Sequence, residues 1–270
     1  MAGDYHRRVL GRVRELLDNE EESEIARLER ALRLIAMHRS QLVSNTLRRH
    51  EGDVVRSGPF AGTVLPGEIA EGCTAPKLLG TYEAELHPVI EHVVARGYGT
   101  VVNIGSAEGY YAVGLARLMP AARILAYDLD PNARRLTAEL AALNDVSERI
   151  AIGEAFAHED FATLPAGDSF IFCDIEGAEL ELLDPKKAPA LAELDLLVEL
   201  HNLPEIPLYR EFLERFEKSH EIEMIAPAPR NAGAFAELRA LNSLDQLLAV
   251  WEWRRGPTPW VLLTAKKVGG

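Results

Sequence analysis

From about residue 100 almost to its end, the chain alternates short apolar runs with stretches of helical periodicity, and this constrains the fold more than any other feature. The runs are TVVNIG, RILAYD, RIAIG, SFIFCDI, LDLLVELH, EIEMIA and WVLLTA, with YYAVGLARLM and PNARRLTAELAAL after the first two. Runs that are apolar throughout belong in a sheet covered on both faces, and a helix between successive strands makes parallel crossovers. The pattern predicts an α/β fold with a mostly parallel, doubly wound, seven-stranded sheet. Ligands of such sheets lie beyond the carboxyl ends of the strands, where the strand order reverses.

Upstream, Ile25, Leu28, Leu32, Ile35 and Leu42 recur every three or four residues between Ser23 and Leu47, and a shorter helix with Leu10, Val13 and Leu17 precedes them. This apolar stripe, interrupted at Arg39, serves either as a cap on the main domain or as the seam of a homodimer. Between Gly52 and Gly80 glycine and proline punctuate the sequence, as in an ordered loop or a linker. The expected division is a helical extension and loop over 1–80 and the α/β domain over 81–270. Basic residues number 29 against 42 acidic ones, a net charge of −13 that disfavours phosphate backbones and anionic membranes as partners. Two cysteines, Cys73 and Cys173, build neither a disulfide framework nor a thiolate zinc site. With no export signal and no apolar run near the ~18 residues of a membrane span, a cytoplasmic location is expected.

Val101 to Gly109 runs from a buried strand into a turn with glycines at 105 and 109, followed by a helix from about Tyr110. Gly105 and Gly109 let backbone approach a ligand closely, and the free N–H groups of the helix suit a carboxylate. Close packing alone is the other reading of both glycines. The spacing is GxxxG, not the GxGxxG of dinucleotide binders, so a nicotinamide oxidoreductase is disfavoured. The next strand ends at Asp128, placed to accept ribose hydroxyls, while Asp130 before Pro131 suits a helix cap. In two later strands Asp174 and Glu176, then Glu199 and His201, stand at i and i+2, so each pair shares a face. Three carboxylates and an imidazole at one cleft call for a cation, either the ligand's own charge or a divalent metal. Asp174, Glu199 and His201 are the candidate metal ligands, and oxygen donors with one histidine suit Mg²⁺, Mn²⁺ or Fe²⁺. His201 is the candidate general base, with Asp174 and Glu176 orienting the nucleophile. The other reading makes Glu176 and Glu179 acids at a helix start and His201 a packed loop residue. Near the end, Pro229-Arg230-Asn231 and Trp251-Glu252-Trp253-Arg254-Arg255 offer arginines and aromatics to a planar or anionic substrate, with Arg230, Trp253 and Arg254 as the candidate contacts beside Glu199. Asp245 is read as a local arginine partner.

The turn Asn-Ile-Gly-Ser-Ala-Glu-Gly followed by Ala-Tyr-Asp-Leu-Asp-Pro resembles the first motifs of class I S-adenosylmethionine-dependent methyltransferases. Cys173-Asp174-Ile175-Glu176-Gly177-Ala178-Glu179 is similar to the D-x-E-G-x-E signature of their FkbM-like branch. The resemblance spans roughly Tyr82 to the C-terminus. It implies a Rossmann-like class I fold, S-adenosylmethionine as cofactor, and transfer of a methyl group to a small molecule, most often to oxygen. N-, C- or protein-directed transfer, or a non-catalytic protein that binds the adenosyl cofactor, are the alternatives. The implied cofactor residues are Asn103, Gly105, Ser106, Glu108, Gly109, Tyr110, Asp128 and Asp174, with Gly153, Glu154 and Ala155 beside the adenine and Tyr82 and Glu83 closing over it. Many relatives carry Asp where this chain has Asn103, so a negative charge near a sulfonium is missing. The Pro-Pro-aromatic turn of base-modifying enzymes is absent from Asp174-Ile175-Glu176-Gly177.

Overall fold

A computed structural model describes residues 2–70, 72–201, 206–254, 256 and 258–266. The chain forms two compact units, and neither is one continuous stretch. One comprises 1–52, 72–82 and 230–253, the other 53–71, 83–229 and 254–270. Residues 53–71 therefore go with the sheet and 230–253 with the N-terminal helices, unlike a cut at 80/81.

In the helical unit, α1 (Ala2–Leu17) and α2 (Glu24–Glu51) are joined by a short turn. Ser23 caps α2 by accepting the Ala26 N–H, and the helix stops at Gly52, whose φ of 80° a residue with a side chain rarely adopts. The stretch read as loop contains a further helix, α3 (Thr74–Leu79), and the unit is completed by α9 (Ser243–Ala249). Arg39 holds α9 to α2, donating two 2.6 Å hydrogen bonds to the Asp245 carboxylate. Asp245 thus finds its arginine 206 residues away rather than locally.

The sheet unit contains seven strands, β1 (Thr100–Ile104), β2 (Arg123–Tyr127), β3 (Ile150–Gly153), β4 (Ser169–Cys173), β5 (Asp195–Glu199), β6 (His220–Ile225) and β7 (Trp260–Ala265). They lie in the order β3-β2-β1-β4-β5-β7-β6. The first five pair in parallel and β7 inserts antiparallel between β5 and β6, the mostly parallel, Rossmann-like architecture expected. The helices are α4 (His87–Arg96), α5 (Tyr110–Leu118), α6 (Pro131–Leu143), the single turn α7 (Glu179–Leu182) and α8 (Ile206–Phe216). Asp130 caps α6 from just before Pro131, accepting the Asn132 N–H. Every residue of β1 and β4 is buried, which is why their sequences show no alternation. Val102, Ile104, Ile171, Cys173, Leu196, Val198, Val261 and Leu263 form the core on one face. On the other, Tyr111 stacks on Phe172 at 4.0 Å, and Phe172 meets Trp260 at 4.9 Å. The strand order reverses between β1 and β4, so the crevice lies beyond Ile104 and Cys173, which are in register. Among the described residues no helix is long and apolar enough to cross a membrane.

Candidate functional site

The turn after β1 is shaped by its neighbours. A Cβ on Gly105 would lie 1.6 Å from the Asp174 carbonyl oxygen, and one on Gly109 would lie 2.8 Å from Thr137 Cγ2. Both glycines have positive φ, so backbone conformation and close packing require them whatever they bind. Between them Ala107 sits at φ 47°, a strained setting for a residue with a side chain. Its N–H donates to Asp128 Oδ2 at 2.8 Å and its carbonyl accepts from Thr137 Oγ1 at 3.0 Å. Asp128 Oδ1 accepts the Asp130 N–H at 2.9 Å, so two backbone donors aim this carboxylate and leave its remaining lone pairs for a ligand.

Asp128 stands in the wall of a cavity of ≈ 520 Å³ at the reversal point. Ile104, Tyr127, Leu129, Phe156, Ile175 and Leu182 give it apolar surface, and Gly105, Glu154, Ala155, Asp174 and Glu176 also line it. A site of this volume, largely apolar with a few fixed polar groups, suits a nucleoside-sized molecule. Leu129, Phe156 and Leu182 are lining residues that sequence reasoning missed, since apolar residues past a strand's end read as core. Asn103, Ser106, Glu108, Gly109, Tyr110 and Glu83 do not line the cavity, and all six are buried. Both amide atoms of Asn103 and the Ser106 hydroxyl make no hydrogen bond among the described residues although they are buried. Burying such groups unmet costs about 1–3 kcal/mol each, which a ligand or water would recover.

Across the reversal the chemistry is ionic. β4 ends at Cys173 and β5 at Glu199, so Asp174 and His201 lie just past the strands. Glu176 has φ 54° and a side chain 83% exposed; the strand alternation that would place it beside Asp174 has already broken. The three carboxylates and the imidazole nevertheless converge. His201 Nε2 lies 3.5 Å from Glu199, 3.6 Å from Glu176 and 3.8 Å from Asp174. Its Nδ1 lies 2.8 Å from Glu179 Oε1, and because a carboxylate only accepts, Nδ1 carries the hydrogen and Nε2 is left as acceptor. Glu179, the last letter of D-x-E-G-x-E, was left out of the predicted site. The same oxygen accepts the N–H groups of Ile175 and Gly177, each at 3.2 Å. Burial lowers the His201 pKa, but the bond to Glu179 and the charges of Glu199, Glu179 and Glu176 outweigh it, and the net shift is upward. Burial raises the Glu179 pKa, and the bonds from His201 and Gly177 bring it below the ordinary value.

Glu199 does not stand free for a metal. Its Oε1 accepts from Arg254 and, at 2.5 Å, from Thr258. Among the described residues the metal-competent group is Asp174, Glu179 and His201, with one donor atom from each within 4.8 Å of the others. Arg254 also donates to Glu83, which accepts from the Tyr111 hydroxyl as well, so Arg254 is spent on two buried carboxylates. Arg230, Trp253 and Tyr82 belong to the helical unit. There Arg230 donates to Glu252 and to the Thr81 carbonyl, Trp253 Nε1 donates to Ser40 Oγ, and Lys77 lies over the Tyr82 ring. Arg255 lies outside the described residues.

No family model matches the chain, and no curated protein does. Solved structures do resemble it. An O-methyltransferase from Bacillus cereus in complex with SAH is 11% identical, with 95% of this chain and 97% of that one covered and a TM-score of 0.47. The O-methyltransferase TomG from Streptomyces achromogenes, in complex with SAM, is 12% identical over 84% and 89%, with a TM-score of 0.45. An rRNA methylase from Streptococcus thermophilus is 10% identical over 67% and 96%, with a TM-score of 0.46. Likeness at this level speaks to neither activity nor acceptor.

Proposed function

We propose that this chain is an S-adenosylmethionine-dependent methyltransferase, of the FkbM-like kind its D-x-E-G-x-E sequence resembles, acting on a hydroxyl oxygen of a small molecule. The observation that carries the reading is the crevice itself: an apolar slot with a ribose-ready carboxylate, Asp128, whose wall includes Asp174 and Glu176, two of the carboxylates gathered around the His201 imidazole. When bound, the cofactor supplies a methyl group already activated on sulfur. The chain's task is then alignment and proton removal.

His201 Nε2 would take the proton of an acceptor hydroxyl, and the bound cofactor would supply the methyl group to that oxygen, its sulfur leaving as a thioether. Asp174, Glu176 and Glu199, all within 3.8 Å, stabilise the imidazolium that results. Glu179 fixes the tautomer. A base placed to take a proton as the new bond forms suits a hydroxyl acceptor. Asp174, Glu179 and His201 also have the donor chemistry for Mg²⁺, Mn²⁺ or Fe²⁺; a cation there would take the Nε2 lone pair and, in place of proton removal by His201, would lower the acceptor's pKa.

The test is calorimetric titration with S-adenosylhomocysteine, with and without Mn²⁺, followed by methyl transfer to a panel of hydroxylated acceptors. Binding with turnover supports the proposal, and dependence on Mn²⁺ adds the metal. Binding without turnover on the whole panel moves the reading to a non-catalytic cofactor-binding protein. No binding overturns it.

A further inference from the structure

The helices α1 and α2 bring together two histidines 32 residues apart, with His6 Nδ1 lying 3.3 Å from His38 Nε2. The rings meet edge to face, their centroids 5.1 Å apart and their planes at 82°, and the Tyr5 ring lies 5.1 Å from that of His38. The separation of the nitrogens is longer than the roughly 2.7–3.2 Å of a well-made N–H hydrogen bond. It matches one edge of a tetrahedron around a single ion, because bonds of about 2.0–2.1 Å to imidazole set the two nitrogens roughly 3.3–3.4 Å apart. His38 Nδ1 is buried with no partner among the described residues, so Nε2 is the nitrogen by which this ring can be held. Burial, then the charges of His6 and Arg39, lower the His38 pKa and keep the ring in the uncharged form that binds metal, while Asp245 offsets the Arg39 charge.

A tie at this point is what α1 lacks. No side chain described from Asp4 to Leu17 is buried, and a 16-residue helix without a packed apolar face is marginal in water. We propose that His6 and His38 form a metal site for a zinc-class divalent ion (Zn²⁺, Ni²⁺ or Cu²⁺) that fastens α1 to α2. Two imidazoles suit these ions, whereas Mg²⁺ and Ca²⁺ take oxygen donors. No third histidine, cysteine or carboxylate joins the pair among the described residues, and His6 is exposed, so water completes the coordination. The site is therefore exchangeable, unlike the closed four-ligand sites of structural zinc. The group of Asp174, Glu179 and His201 belongs to the sheet unit and is built mainly of oxygen donors, so the two sites separate by mutation and by choice of ion.

Calorimetric titration of the whole chain with Zn²⁺ near neutral pH tests this, in a His201→Ala background that removes the imidazole of the other group. One Zn²⁺ per chain is expected, with affinity falling at least tenfold on adding His6→Gln or His38→Gln. The side chain of His6 is exposed, so His6→Gln is expected to keep the fold, as helical circular dichroism will show. Amide hydrogen exchange gives a second readout: Zn²⁺ should slow exchange along α1 several-fold in the His201→Ala chain and leave it unchanged once His6→Gln is added. Absence of zinc binding in the His201→Ala chain, or binding that both glutamine variants leave intact, overturns the site and reduces the pair to a long hydrogen bond. Zinc binding that does not slow exchange in α1 overturns the fastening.

Discussion

The two sides of the strand reversal differ in how they are built. On the β1–β3 side the cavity is shaped by backbone and apolar surface: Gly105 is pressed against the Asp174 carbonyl, and Asp128 is aimed by two backbone N–H groups. On the β4–β5 side the architecture is ionic, with four carboxylates within 4 Å of one imidazole and Arg254 clamped between Glu83 and Glu199. On the proposed reading, one side recognises by shape and the other works by charge. Substitutions on the first should therefore act on binding, and those on the second on turnover and on pH dependence.

The sharpest way to break this division is His201→Ala. Loss of a general base is expected to lower kcat about 10²–10⁴-fold, with S-adenosylhomocysteine affinity nearly unchanged by calorimetry; a matching loss of affinity would merge the two sides. Asp128→Ala should weaken the same ligand about 100-fold, because a charged acceptor of ribose hydroxyls and the anchor of the Ala107 turn are both removed. Turnover at saturating cofactor should largely survive.

Glu179→Gln keeps an acceptor for Nδ1–H and removes the charge. The His201 pKa is raised in the folded chain, so the neutral base becomes the main form at a higher pH than for an ordinary histidine and activity rises with pH through that shifted point. Without the Glu179 charge the acidic limb of the kcat profile should move to lower pH, giving a few-fold gain below neutrality. A limb that stays in place would take His201 out of the reaction. The smallest effect is expected at Ala107→Gly, which relieves a left-handed residue at the cost of a more flexible unfolded chain: a gain of about 0.5 kcal/mol and about 1–2 °C in Tm.

All seven strands were legible, because buried parallel strands leave long apolar runs that little else explains. The ends of those strands were harder to read. The reading carried the fourth strand through Ile175 and the fifth through His201, whereas the strands end at Cys173 and Glu199. The i, i+2 argument still gathered the right residues, but the turn at Glu176 places them differently. Glu179 was missed because its role depends on a one-turn helix bringing it under a histidine 22 residues on. The pairing of Arg254 with Glu83 spans 171 residues, and an arginine beside tryptophans reads as a ligand contact when its carboxylates are out of sight. Local pattern finds elements; long-range ion pairs leave no local trace.

Trp260 is in register with Glu199, fully buried, against Phe172, and its indole N–H finds no acceptor among the described residues. It therefore gives the chain an optical reporter. An indole in so dry a setting emits at the blue end of the tryptophan range, apart from the half-buried Trp251 and Trp253. A charge arriving near Glu199 should shift that blue component alone, so occupancy of the ionic side can be followed by fluorescence with no label attached.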